Sequence, residues 1–233
     1  CDDNFTAQPE RTRTLLELML KHKIRKWSCQ VRCDAAKDEE LLSLMAAAGC
    51  DVVCVGFESV NPETLKSYQK RQSIDDIINA IRSFRKKRIR IHGMFVLGSD
   101  TDNEKTIWDT LRFAIKQKID TIQMMILTPV PGTKFHEELK QQKRIFTHDW
   151  SLYDGQHVVF KPKLLSARQL QLNVINAYAG FYSLSKSLSL LMKLHFRNAM
   201  FRFMGYRIIQ DWIEHNRNMH WLLKTDSSSP SAS

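Results

Sequence analysis

The sequence predicts an α/β protein built on a parallel sheet. Apolar runs of strand length alternate with helical patterns along most of the chain, and only a few residues connect one element to the next. The runs are continuously apolar, as strands buried on both faces are. Short strand-to-helix connections of this kind imply right-handed crossovers.

The stretch Asp51 to Glu63, DVVCVGFESVNPE, shows the whole pattern once. An apolar run ends at Gly56, the polar pair Glu58 and Ser59 follows, and a helix restarts behind Asn61 and Pro62. Asn61 suits an N-cap and Pro62 suits the first helical position, where no backbone N–H is needed. Ligands of parallel α/β sheets are handled where strands end, so Glu58 and Ser59 stand where chemistry is placed. Capping the turn is the alternative use of the same pair.

From the start of the chain, Asp2 to Phe5 reads as the end of a strand, and Pro9 to Lys23 carries Leu15, Leu16, Met19 and Leu20 on one helical stripe. Lys26 to Cys33 is the next strand. Asp38 to Ala48 is a helix whose Leu41, Leu42 and Met45 form its apolar face, with Gly49 as C-cap. After the focal strand come helical patterns at Pro62 to Tyr68 and Ile74 to Lys87, then a strand over Ile89 to Gly98. Thr101 and Glu104 have capping-box spacing for a helix to Lys116. Asp120 to Thr128 is the fourth strand, stopped by Pro129, Pro131 and Gly132 ahead of a short helix through Lys140. His148 to Pro162 has no long period and predicts a loop-rich segment across one end of the sheet. Ser166 with Gln169 is expected to cap a helix to Lys193, and a second helical pattern runs to Leu223. The closing TDSSSPSAS has the composition of disorder.

The formal charge of +10 is concentrated late: Lys161 to Lys224 holds ten Lys and Arg against Asp211 and Glu214. Five cysteines, Cys1, Cys29, Cys33, Cys50 and Cys54, lie in the first quarter, an odd number that suits reduced intracellular thiols. Cys29/Cys33 and Cys50/Cys54 share the spacing C-x-x-x-C. On strands such pairs stand about 13 Å apart, too far for one ion, so packing is their expected role. No apolar run reaches the roughly 18 residues of a membrane span. The opening on Cys1, Asp2 and Asp3 instead of Met suggests an excised piece of something longer.

Five pieces, DDNF, QVRCD (Gln30 to Asp34), GFESVNPETL, FVLGSDTDNEKTI with LTPVPGT, and HDWSLYDGQHVVFKP, occur in an order and at a spacing that resemble the later core of radical S-adenosylmethionine (radical SAM) proteins, of the cobalamin-binding branch. The resemblance covers residues 1 to about 182. It implies a partial (β/α) barrel of radical SAM type, with strands three to six present over residues 1–145, a closing segment at 146–165, basic C-terminal helices at 166–224 and a disordered tail at 225–233. Family members bind S-adenosylmethionine (SAM) against a 4Fe-4S cluster whose reduction releases a 5′-deoxyadenosyl radical. The implied reaction is methylation or rearrangement of a small or lipid-like molecule, with an external electron donor and with cobalamin on an upstream domain. The family's C-x-x-x-C-x-x-C is absent, since neither cysteine pair has a third cysteine three residues on. Three thiolates are needed to leave one iron for SAM. The cluster motif is therefore expected upstream of Cys1, and this chain alone is expected to be inert.

The resemblance also assigns residues. Asp2 and Asp3 stand where the family meets the methionine end of SAM, with a helix cap as the alternative. Gln30 and Arg32 project from strand three, where Arg32 would pair with a carboxylate or remain an exposed strand-end charge. Glu58 takes the ribose position, assisted by Ser59. Phe95, Val96, Leu97 and Gly98 match the strand whose apolar side chains flank the adenine while glycine allows close approach, unless they simply pack the core, and Leu127 to Pro131, with Thr128 and Pro129 among them, lie where backbone meets the adenine edge. Trp150, Tyr153 and His157 belong to the segment expected to close the mouth. The basic C-terminal helices, with Phe196, Phe201, Phe203, Tyr206, Trp212 and Trp221 among their cations, read first as a docked pair with a solvated face. Anionic lipid comes second, ahead of nucleic acid, because Leu188 to Met204 is rich in apolar residues. The expected setting is cytoplasmic, with contact to a membrane surface as an extension. The remaining readings are a radical SAM enzyme acting on RNA and a non-catalytic basic module on a decayed barrel.

Overall fold

The computed structural model describes residues 3–68 and 72–222, so Cys1, Asp2 and the tail from Leu223 onward lie outside the described residues. The strands β1 (Trp27–Val31), β2 (Cys50–Glu58), β3 (Arg90–Leu97) and β4 (Thr121–Ile126) form one parallel sheet in the order β1-β2-β3-β4. The chain divides into two compact units, Cys1–Phe95 with Arg112–Gln123 and Val96–Leu111 with Met124–Ser233, and each is described by itself.

In the first unit, α1 (Pro9–Lys21), α2 (Glu39–Ala47), α3 (Pro62–Ser67) and α4 (Ile74–Lys86) follow or precede the strands as the periodicity predicts. Their starts are fixed by side chains. Asp38 accepts from Leu41 N at 2.8 Å, Asn61 accepts from Glu63 N at 3.0 Å ahead of Pro62, and Ser73 and Asp76 form a reciprocal capping box. One face of the sheet is closed: Val53, Val55 and Phe57 of β2 and Ile91 and Phe95 of β3 are fully buried, as are Leu41, Met45, Ile77, Ile81 and Phe84 of the helices. The alternate residues Cys54, Gly56 and Glu58 of β2 and Arg90, His92 and Met94 of β3 are only partly covered. The sheet is thus open on one face, and not buried on both as its apolar runs suggest.

Two further expectations change here. Asp3 to Phe5 is not in a strand; it is joined to β1 through Phe5 N, which donates to Gln30 O at 2.8 Å. Cys33 leaves the strand and opens a short 3₁₀ turn, Cys33–Lys37.

In the second unit, Leu127 N donates to Leu97 O at 2.8 Å. The helix α5 (Glu104–Lys116), which crosses into the first unit, is capped by Asn103 and not by Thr101. Asn103 Oδ1 accepts from Thr106 N at 3.1 Å, whereas the Thr101 hydroxyl is held by Ser99 at 2.9 Å. After α6 (Lys134–Gln141), the residues around Ile145 pair antiparallel with those around Phe160, and Val158, Val159 and Phe160 are fully buried. The loop-rich segment is therefore anchored by buried residues, with Phe160 against Phe135 of α6 and Val158 N donating to Gln171.

The single helix expected from Ser166 to Lys193 is two, α7 (Ala167–Phe181) and α8 (Leu184–Met192), followed by α9 (Phe196–His215). The break follows from what takes the terminal carbonyls of α7. Lys186 Nζ donates to Gly180 O at 2.6 Å, and Arg202 of α9 donates to Phe181 O with its guanidinium 3.3 Å from the centre of the Phe181 ring. Two cations at a helix C-terminus also answer its dipole.

Candidate functional site

Paired residues of a parallel ladder share a face, so the register Gln30↔Cys54↔His92 lays a polar row across β1, β2 and β3 on the open side, with Gly56↔Met94 next along. His92 Nδ1 lies 2.9 Å from Thr121 Oγ1. Burial lowers the His92 pKa, outweighing a hydrogen bond with Gln123, so the imidazole is neutral at pH 7. Burial raises the Cys54 thiol, with Cys29 adding to the effect, and Cys50 is raised by its hydrogen bond with Cys29 and then by burial. These are thiols, not thiolates, and among the described residues no three His, Cys, Asp or Glu converge as metal ligands. The described residues therefore do not fit a 4Fe-4S cluster.

Beyond the row, the β2–β3 register shifts between Gly56 and Glu58, a bulge that re-aims the strand end. Glu58 takes φ +64° and Ser59 N donates back to Phe57 O at 2.8 Å, closing a three-residue turn about Glu58. A non-glycine residue held there costs about 1–3 kcal/mol, the kind of strain that collects at functional sites. The turn is secured from outside, because Gln72 Nε2 also donates to Phe57 O, at 3.0 Å. The bulge folds the Glu58 carboxylate back over Gly56, where a Cβ would meet Glu58 Oε1 at 2.7 Å. Gly56 is therefore what leaves room for that carboxylate.

The remaining predicted residues of this unit divide. Asp3 is exposed, and the Phe5 bond sets its segment beside Gln30, itself exposed. Arg32 is exposed and pairs with Asp34 at 3.3 Å. It borders a small recess of about 40 Å³ shared with Gly56, Gln72 and Asp76. Ser59 is fully buried and its hydroxyl accepts from Asn61 N at 3.0 Å, which is the turn-capping alternative. Phe95 is fully buried on the closed face, its ring 5.7 Å from that of Phe57.

In the second unit Leu97 is likewise fully buried. Gly98 has φ +100°, and a Cβ there would meet Leu170 Cδ2 at 2.7 Å. Gly98 N and Ser99 N both donate to Asp102 Oδ2 at 3.0 Å, which turns the chain sharply after β3. Thr128 donates back to Ile126 O at 3.0 Å, and Pro129 is buried within the Val130 N to Thr128 O turn. Asp100 is bound by Arg144 at 2.5 Å and Lys163 at 2.8 Å; burial opposes its ionisation, but these cations prevail and hold its carboxyl below the usual range. In the segment 146–165 Trp150 is 58% exposed, Tyr153 donates to Thr147 O, and His157 is buried between Asp154 and Asn216, each at 3.0 Å.

Residues 2–114 match the model of the radical SAM superfamily. Bacteriochlorophyllide d C-12(1)-methyltransferase of Chlorobaculum tepidum is 34% identical to this chain over 182 residues, covering 78% of this chain and 39% of that protein. The chain belongs to the radical SAM superfamily. The anaerobic magnesium-protoporphyrin IX monomethyl ester cyclase of Cereibacter sphaeroides is 30% identical over 158 residues, 67% of this chain and 26% of that one. The radical SAM methyltransferase TsrM of Kitasatospora setae, solved with cobalamin and a 4Fe-4S cluster, matches the fold with a TM-score of 0.54 at 19% identity, over 74% of this chain and 34% of that one. This radical SAM chain spans under two-fifths of each of the three. His92 was not singled out from the sequence, and Gly56 was read only as the end of the apolar run. A period-two reading of RIHGMF, which sets His92 opposite Ile91 and Gly93, would have found the first.

Proposed function

We propose that this chain holds SAM and part of the substrate in a radical SAM enzyme that methylates or rearranges a small, largely apolar molecule, with tetrapyrroles as the first substrate class to test. The observation that carries the reading is the Glu58 carboxylate, bent over Gly56 by a strained bulge at a strand end. A carboxylate so held accepts from both hydroxyls of a ribose through two charge-assisted hydrogen bonds. Asp3 accepts from the methionine ammonium, and Arg32 exchanges Asp34 for the methionine carboxylate. The polar row through Gln30, Cys54 and His92 faces the reactants, with neutral His92 able to donate or accept one hydrogen bond. The substrate class is supported by relatives named for bacteriochlorophyllide and magnesium-protoporphyrin chemistry.

The chemistry that a reduced 4Fe-4S cluster would supply, when bound, is the electron for cleaving SAM. Since the described residues do not fit one, its thiolates would come from outside them, as would any cobalamin, and the chain alone would be inert. The test is SAM binding and 5′-deoxyadenosine formation by the protein extended upstream through its cysteine motif, beside this chain alone. Glu58→Ala is expected to weaken SAM binding tenfold or more while iron content is unchanged. Binding within twofold of the parent would refute the ribose assignment, and 5′-deoxyadenosine from the short chain would refute its inertness.

A further inference from the structure

The α8–α9 hairpin concentrates apolar surface that its own packing does not use. At its tip Met192, Leu194 and Phe196 are 80%, 72% and 60% exposed, the highest values among the exposed large apolar side chains of the described residues apart from Ile208 at 67%. From Phe196 the exposed residues continue at four-residue steps through Met200 and Met204 to Ile208, one face of α9. The buried residues of α9 are Ala199, Arg202 and Ile209, on the opposite side. That side is firmly seated: a Cβ at Gly205 would meet the Tyr182 ring at 2.3 Å, and Arg202 caps α7 through Phe181 O. The exposed stripe is therefore displayed by an anchored helix.

The charge around it is one-sided. Lys193 and Arg197 are exposed at the tip and Arg207 is exposed farther along, whereas the acids of this region, Asp211 and Glu214, lie four turns on, roughly 20 Å from the tip at the helical rise. Apolar residues framed by cations suit the boundary between anionic headgroups and acyl chains. Among the described residues no helix is long and apolar enough to cross a membrane, so the hairpin would lie in the interface. A nucleic acid would instead require cations along the stripe, where Met and Ile stand. A second copy would bring two cationic tips together.

We propose that the α8–α9 hairpin docks this protein on an anionic lipid surface, tip first. The proposal is independent of the SAM assignment and survives its failure. It is tested by co-sedimentation of the chain with vesicles of phosphatidylcholine alone and with about 30% phosphatidylglycerol, where each basic residue near such a surface strengthens binding about fivefold. Binding is expected only to the anionic vesicles and is expected to fall at high salt. The triple variant Met192→Ser, Leu194→Ser, Phe196→Ser and the charge variant Lys193→Glu, Arg197→Glu are each expected to weaken it tenfold or more with circular dichroism unchanged. Undiminished binding of the triple variant, or no binding by the parent, overturns the proposal. So does a dimer in sedimentation velocity that the triple variant abolishes, which would assign the face to a second copy, or tighter binding to tRNA than to vesicles.

Discussion

Gly98→Ala tests whether the turn after β3 is fixed by packing as well as by backbone conformation. At φ +100° an alanine is strained by about 1–3 kcal/mol. Its Cβ would also lie 2.7 Å from Leu170 Cδ2, and Leu170 is fully buried, so overpacking adds about 1–3 kcal/mol. The expected total of about 2–6 kcal/mol is a large share of the 5–15 kcal/mol typical of a domain. Leu170→Ala alone should cost about 2–5 kcal/mol as a cavity. In the double variant the new methyl group enters that cavity, so the cost should fall short of the sum by about 1–3 kcal/mol, leaving the backbone strain and the cost of the cavity. Urea unfolding followed by tryptophan fluorescence is the assay, because four of the five tryptophans, Trp108, Trp150, Trp212 and Trp221, lie in the same unit as Gly98 and Leu170. A cost below about 0.5 kcal/mol for Gly98→Ala, or strict additivity with Leu170→Ala, would refute the packing argument.

Gly56→Ala should separate folding from binding: the atom it meets is the end of a flexible side chain, so stability should change by less than about 1 kcal/mol while SAM affinity of the extended protein falls as in Glu58→Ala. His92 has a folded-state pKa below its unfolded value near 6.5, so below that pH the unfolded state binds the extra proton. Stability is thus full above about pH 6.5 and is lost as pH falls toward the folded pKa, by at most about 1.4 kcal/mol per pH unit, and His92→Gln should flatten that slope in urea titrations. Arg202→Met keeps the aliphatic stem but removes the α7 cap and the Phe181 ring contact, and a loss of about 2–4 kcal/mol in chemical denaturation is expected.

Where the sequence was legible, the deciding interaction is local. Asn61 and Pro62 start α3, and Ser166 with Gln169 starts α7, because a cap and its partner are at most three residues apart. Where it was not, the deciding partner is distant. Nothing near Phe181 announces that α7 must end there; the donor to its carbonyl is Arg202, twenty-one residues on. Thr101 and Glu104 have the right spacing for a cap, yet the hydroxyl is held by Ser99 and Asn103 takes the role. The closed and open faces of the sheet follow the same division. Val53, Val55 and Phe57 are legible as buried from composition alone, whereas Cys54 and Gly56 look equally apolar in DVVCVGF and turn out to line the open side.

Glu58 lies between these cases. Its place at a strand end is legible, but the direction of its carboxylate is not, because that depends on a register shift and on Gln72 holding Phe57 O fourteen residues downstream of Glu58. Phe95 and Leu97 show the converse. Both lie at the end of β3, yet both are fully buried, whereas the alternate residues Met94 and Val96 are only partly covered. Strand-end position alone therefore cannot distinguish a residue that meets the ligand from one that packs behind it. On β2 the bulge sets the direction of the Glu58 carboxylate, and Gly56 is the residue in the sequence that leaves room for it.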